Sequence, residues 1–231
     1  MALAGQGAIT IWQNACPEAR ADFYEWHNRE HMPERMGIPG FLRARRWRAL
    51  QGAPEFFTLY ETASPQVHTG ADYLQRLNNP SVWTRRIAPS MVNNIRSLCR
   101  VAYSTGPAQG GLMITLRYDV TAGSEDAQQQ LLTERILPAL GTRPGVAAAH
   151  LCIADQAASA LQTEEKKSRP LQALVPTWVI LVEGAAEAPP LMAACDDALC
   201  DAVLAAAGAY GISRGLYQLQ YSYNGKSGAV A

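Results

Sequence analysis

Apolar and β-branched residues fall along the 231-residue chain in short runs with strand character, separated by longer stretches with helical spacing. Ala8-Ile9-Thr10-Ile11-Trp12 is the first such run and predicts a strand. Pro17 and Glu18 suit the first turn of a helix that carries Phe23, Trp26, His27 and His31 to about Pro33. Ile38-Pro39-Gly40-Phe41 breaks that helix. Runs at 41–50 and 56–61 predict two strands joined through Gln51-Gly52-Ala53-Pro54. A helical region over roughly 71–93, interrupted near Pro80, and a strand at 95–104 complete the order β-α-β-β-α-β.

The second half repeats that order. Pro39-Gly40 matches Pro144-Gly145 at an offset of 144 − 39 = 105, and the same offset relates Pro33 to Pro138 and Ile9-Thr10-Ile11 to Ile114-Thr115-Leu116. After Ala154 the register changes, because a polar segment containing Gln162-Thr163-Glu164-Glu165-Lys166-Lys167-Ser168-Arg169 lengthens the hairpin. Its composition predicts an exposed, mobile loop. A strand at 178–183, an alanine-rich helix over about 191–207 and a strand at 215–223 finish the copy. The halves are 1–105 and 112–231, with a Gly-rich linker at 106–111.

Each half so ordered makes a four-stranded antiparallel sheet with two helices on one face, and the bare faces can cover each other. The predicted fold class is α+β: two tandem ferredoxin-like βαββαβ halves packed sheet to sheet as an intrachain α+β barrel. Further pairing of whole chains as a homodimer is compatible with this plan.

Hydrophobic residues make up 48% of the chain, enough to bury a core. Twenty basic and twenty acidic residues cancel, which argues against nucleic acid or a membrane surface as partner. The total conceals an asymmetry. Residues 1–108 hold 12 Arg against 8 Asp and Glu, net +4, and residues 109–231 hold 8 Lys and Arg against 12 Asp and Glu, net −4. The first half is better suited to an anionic ligand, and the two halves are suited to each other. Five scattered cysteines without a CxxC pair read as reduced, mostly buried thiols. With no basic leader and no apolar run near 20 residues, the chain is expected in the cytoplasm.

Chemistry concentrates in Trp26-His27-Asn28-Arg29-Glu30-His31-Met32-Pro33-Glu34-Arg35, which holds two of the four histidines. His27 and His31 lie i,i+4 on one helical face, with Glu30 and Glu34 in a neighbouring row. The repeat offset places Leu132 opposite His27 and Ile136 opposite His31, so both positions face the core. A core-facing histidine needs partners or a ligand, because an unsatisfied buried polar group costs roughly 1–3 kcal/mol. His31 is the candidate acid or base, with His27 or Glu30 to orient it; the alternative is a set of interfacial histidines satisfied by the backbone. The segment also fits H-x-x-E-H, a zinc pattern, but only His68 and Asp72 are at hand as a third ligand. No metal site is therefore assigned.

Phe23-Tyr24-Glu25-Trp26-His27 through Glu30-His31-Met32-Pro33, with Ile38-Pro39-Gly40-Phe41, resembles the dimeric α+β barrel superfamily, and most of all its EthD-like members. The resemblance covers about forty residues by motif and the rest by topology. It implies a pocket between helix and sheet for small hydrophobic or aromatic molecules, with His31 at the position of the motif histidine. Relatives include muconolactone isomerase-like enzymes, decarboxylases and dehydratases, cofactor-free monooxygenases and haem-binding proteins. The second copy lacks the histidine, so one site per chain is expected.

On the next strand Arg43, Arg45 and Trp47 share a face on which a carboxylate substrate could bind, and Trp26, Trp12 and Tyr60 are further candidates for the lining. The leading expectation is a cofactor-independent lyase or isomerase acting on a small aromatic or unsaturated carboxylate. Two alternatives stand beside it: a non-catalytic haem- or small-ligand-binding barrel, and a cofactor-free monooxygenase.

Overall fold

A computed structural model describes residues 3–169 and 174–224; the last residues of the predicted second half, 225–231, lie outside them. The first repeat contributes β1 (Gly7–Ala15), α1 (Arg20–Trp26), a π turn (His27–His31), α2 (Met32–Met36), β2 (Phe41–Gly52) and β3 (Phe56–Thr62). It continues with α3 (Ala71–Asn78), α4 (Val82–Ile87) and β4 (Met91–Thr105). The second opens with β5 (Leu112–Val120), α5 (Glu125–Gln130), a second π turn (Leu131–Ile136), α6 (Leu137–Leu140) and β6 (Val146–Ala154). Then come α7 (Gln156–Ala160), α8 (Glu164–Lys167), β7 (Trp178–Gly184), α9 (Ala188–Ala198), α10 (Asp201–Ala206) and β8 (Ala209–Asn224).

The fold is the α+β barrel that the repeat implies. Its strands close in the order β1-β3-β2-β8-β5-β7-β6-β4. Within each repeat the pairing is antiparallel and ferredoxin-like. The repeats face one another and also share hydrogen-bonded edges, β2 with β8 and β4 with β6. Closure removes the open edges that two stacked sheets would keep, which is why β4 and β8 run well past their in-repeat partners.

Alternation along the strands divides the interior. Trp12, Trp47, Phe57, Leu59, Met113, Val179, Leu181 and Tyr217 fill the barrel. Ile9, Met32, Phe41, Ala44, Tyr60, Tyr73 and Leu98 pack on the helix side of the first repeat.

The first helix runs past Pro33 to Met36, three residues beyond the predicted end. Met32 N–H bonds the His27 carbonyl five residues back, and this wider turn seats a proline that has no N–H to offer. Leu137 bonds Leu132 in the same way ahead of Pro138, so the π turn belongs to the fold and is not special to the histidine segment. The second helical region ends sooner than predicted, since β4 begins at Met91, and the alanine-rich helix is split into α9 and α10.

The polar segment after β6 is the largest departure. Where an exposed mobile loop was expected, α7 and α8 form, capped by the side chains of Asp155 and Thr163. Ser159, Thr163 and Glu165 are buried. The segment lies over the first repeat, where Asp155 N–H bonds the Leu98 carbonyl and Glu164 N–H bonds Asn78 Oδ1. Its charges resemble a solvated loop in sequence, but Glu165 pairs with Arg35 of the other half of the chain.

Candidate functional site between the histidine helix and the sheet

The helix side of the first sheet carries a cavity of about 40 Å³ lined by Ile11, His31, Arg35, Phe41, Tyr60 and Tyr73 from the first repeat, and roofed by Ser159, Thr163, Glu165, Lys166 and Arg169. Such a volume holds a few waters or a diatomic molecule. Three residues of this lining carry buried polar atoms without a hydrogen-bond partner: His31 Nδ1, Tyr60 Oη and Arg35 Nη1. One orphan is a local cost of about 1–3 kcal/mol, and three in one lining concentrate that cost here.

His31 stacks on Trp26, with ring centroids 4.3 Å apart, and Trp26 Nε1 is anchored on Thr84 Oγ1 at 3.1 Å. Burial pushes the His31 imidazole well below its usual range, and the charges of Arg35 and Arg169 push it the same way. It is therefore a neutral base. Burial likewise raises the Tyr60 hydroxyl, so it remains a protonated phenol that can donate.

His27 lies beside His31 at a centroid distance of 5.6 Å. Its Nδ1 accepts from Arg46 Nη1 at 2.9 Å; a guanidinium can only donate, so the ring proton sits on Nε2. Arg46 is held by Asn28 Oδ1 at 2.8 Å and by the faces of Tyr24, Phe23 and Tyr221. Burial first, then Arg46, keeps His27 neutral too.

The predicted site residues divide into three groups. His31 and Tyr60 line the cavity, with Trp26 and His27 packed against His31. Glu30 turns away, taking hydrogen bonds from Ser81 Oγ and, at 3.4 Å, Thr84 Oγ1 at the start of α4. It does not orient a histidine.

Arg43, Arg45, Trp47 and Trp12 are on the opposite side of the sheet, inside the barrel. There Arg43 and Arg45 pair with Glu61, and Arg45 also with Glu183 at 2.8 Å. Trp12 donates to Thr115 Oγ1 at 3.3 Å, and Trp47 is fully buried against Phe57. These four residues are removed from the expected pocket. Period-two alternation grouped Arg43, Arg45 and Trp47 correctly, but parity alone does not say which face looks toward the helices. A bulge between Phe41 and Arg43 separates Phe41 from them.

Sequence reasoning missed Arg35, Glu165 and Arg169 as lining. Arg35 had a signal, standing i,i+4 from His31 on the same face. Glu165 and Arg169 had none, since the strand pairing of the second repeat brings them here. Glu165 binds Arg35 Nη2 closely and Arg169 Nη2 at 3.4 Å. Burial works to raise its carboxyl, but Arg35 and Arg169 outweigh that and hold it below the usual range.

Among the described residues no group of three or more His, Cys, Asp and Glu is placed to hold a metal ion. The cavity of about 40 Å³ is far below the roughly 300–1,000 Å³ of pockets that enclose drug-sized ligands, so a porphyrin or any smaller ring system enters only if a wall moves. No helix among the described residues is long and apolar enough to cross a membrane.

No family model matches the chain, and no curated protein matches it. Solved structures do resemble it. An anthrone oxidase-like protein superposes with a TM-score of 0.61 at 12% identity, covering 97% of this chain and 95% of that one. A candidate monooxygenase from Fusobacterium nucleatum gives 0.56 at 8% identity, with 96% of each chain covered. One from Lactobacillus acidophilus gives 0.55 at 8% identity, covering 95% and 96%. The chain has their ferredoxin-like α+β barrel fold. At these identities the likeness speaks for fold alone, and it does not single out the EthD-like or muconolactone isomerase-like branch.

Proposed function

We propose that the chain is a cofactor-independent oxygenase acting on an electron-rich aromatic substrate that has an acidic C–H and carries an anionic group, such as an anthrone carboxylate. The observation that carries this is the meeting, in the lining of one small cavity, of a neutral buried imidazole, a phenol without a hydrogen bond and a guanidinium whose Nη1 has only a 3.9 Å ion pair with Glu34. The oxidase- and monooxygenase-like names of the structural neighbours favour oxygen chemistry over the lyase or isomerase expectation. Both chemistries begin with the same proton transfer.

His31 Nδ1 takes the proton, and Arg35 stabilises the carbanion or phenolate that forms. The electron-rich anion reduces dioxygen, and recombination gives a peroxide at the same carbon. Protonation of that peroxide, with His31 returning its proton or Tyr60 donating, and loss of water leave a ketone. For a methylene substrate the balance is R₂CH₂ + O₂ → R₂C=O + H₂O. The substrate supplies the electrons, so no external reductant enters.

The test is oxygen uptake by the purified chain with an anthrone carboxylate and chelator, without added flavin, haem or metal. The expected result is one O₂ consumed per substrate, with His31→Ala slowing the reaction about 10²–10⁴-fold. Undiminished uptake by the His31→Ala variant, or none by the wild type, overturns the proposal.

A further inference from the structure

The cavity lining contains four cationic side chains, Arg35, Arg96, Lys166 and Arg169, and one carboxylate, Glu165. That carboxylate belongs to α8 of the second repeat, whose neighbours Glu164 and Lys167 are exposed. It bridges the Arg35 and Arg169 guanidiniums beside His31. Arg35 is only 3% exposed, yet its Nη1 has no hydrogen-bond partner. We propose that Arg35 and Arg169 form an anion subsite, which Glu165 fills in the closed protein and which the carboxylate or phenolate of an incoming substrate takes over.

The physical case rests on the cost of exchange. A ring-sized molecule cannot enter a cavity of about 40 Å³ unless a wall moves, and the α8 segment is a short roof joined to the first repeat largely through charged and polar groups. A neutral ligand that displaces Glu165 takes from Arg169 its carboxylate partner and leaves Arg35 with only Glu34, 3.9 Å from Nη1, which is unfavourable for buried cations. An anionic ligand replaces one carboxylate by another and keeps both bridges, with a guanidinium fork matched to a planar anion. Glu165 therefore acts as a placeholder that closes the site and admits anions in preference to their neutral analogues. The repeat that lost its own histidines contributes the gate of its sister's site.

This inference rests on the proposal that the cavity receives an organic substrate, and it is tested by binding alone. Benzoate and its neutral isostere benzamide are titrated calorimetrically, without oxidisable substrate, into full-length wild type and Glu165→Gln. Removing the internal competitor should tighten benzoate about tenfold, as when a plugged state holds about nine-tenths of the population, and both proteins should bind benzoate more tightly than benzamide. In a second arm that needs no variant, benzoate should speed tryptic cleavage of the wild type after Lys166 and Lys167, and benzamide should not. Equal or weaker benzoate binding by Glu165→Gln, or protection of the segment by benzoate, overturns the inference. Absent oxygen uptake with these binding results intact overturns only the oxygenase function; uptake through His31 with benzoate affinity equal in both proteins overturns only the anion subsite.

Discussion

His27, His31 and His68 are all buried, and all three are kept neutral. Burial lowers His68 to about 4 and takes His27 and His31 well below their usual range. The unfolded chain protonates its histidines near pH 6.5, so below that value it binds more protons than the folded one. Stability contributed by the neutral state is thus complete above about pH 6.5 and is lost as pH falls toward the folded values, by up to about 1.4 kcal/mol per pH unit for each histidine. His31→Ile copies the residue that stands at this position in the second repeat. It is expected to fold, to flatten the fall in unfolding midpoint between about pH 6.5 and 5, and to abolish oxygen uptake. Urea titrations across that range check the first part; an unchanged slope would show that His31 titrates normally.

The helical elements separate what holds the site from what faces it. Ser81 caps α4 by accepting from Thr84 N–H at 2.9 Å and donates to Glu30, which ties the histidine segment to that helix. Glu30→Gln should therefore lower stability by about 1 kcal/mol and leave the rate of oxygen uptake within about twofold. A rate loss approaching that of His31→Ala would return Glu30 to the chemistry. The buried face of the histidine segment could be anticipated from the repeat, since Leu132 and Ile136 stand opposite His27 and His31; its π turn is seen only in the backbone. The roof could not, because Glu165 and Arg169 have polar neighbours in sequence and Glu165 finds Arg35 only in the other repeat.

At the scale of the whole molecule, the charge asymmetry between the halves resolves into ion pairs that cross them, Arg45 with Glu183 inside the barrel and Arg35 with Glu165 at the site. Arg45 and Glu61 have repeat counterparts: His150 stands 105 residues on from Arg45 and is 3.5 Å from Glu183. Arg45→Met leaves two buried carboxylates short of their cation and should cost roughly 3–5 kcal/mol. The urea midpoint measures it. A small change would mean that the barrel interior admits water around these carboxylates.

The duplicated α+β plan and the core-facing histidines were determined by the sequence, because periodicity and internal offset are local properties that survive in any correct fold. Which face of β2 looks toward the helices, and what covers the cavity, were decided only in three dimensions. A strand's alternation is the same seen from either side, and a buried ion pair between residues 130 apart, such as Arg35 and Glu165, has no local signature.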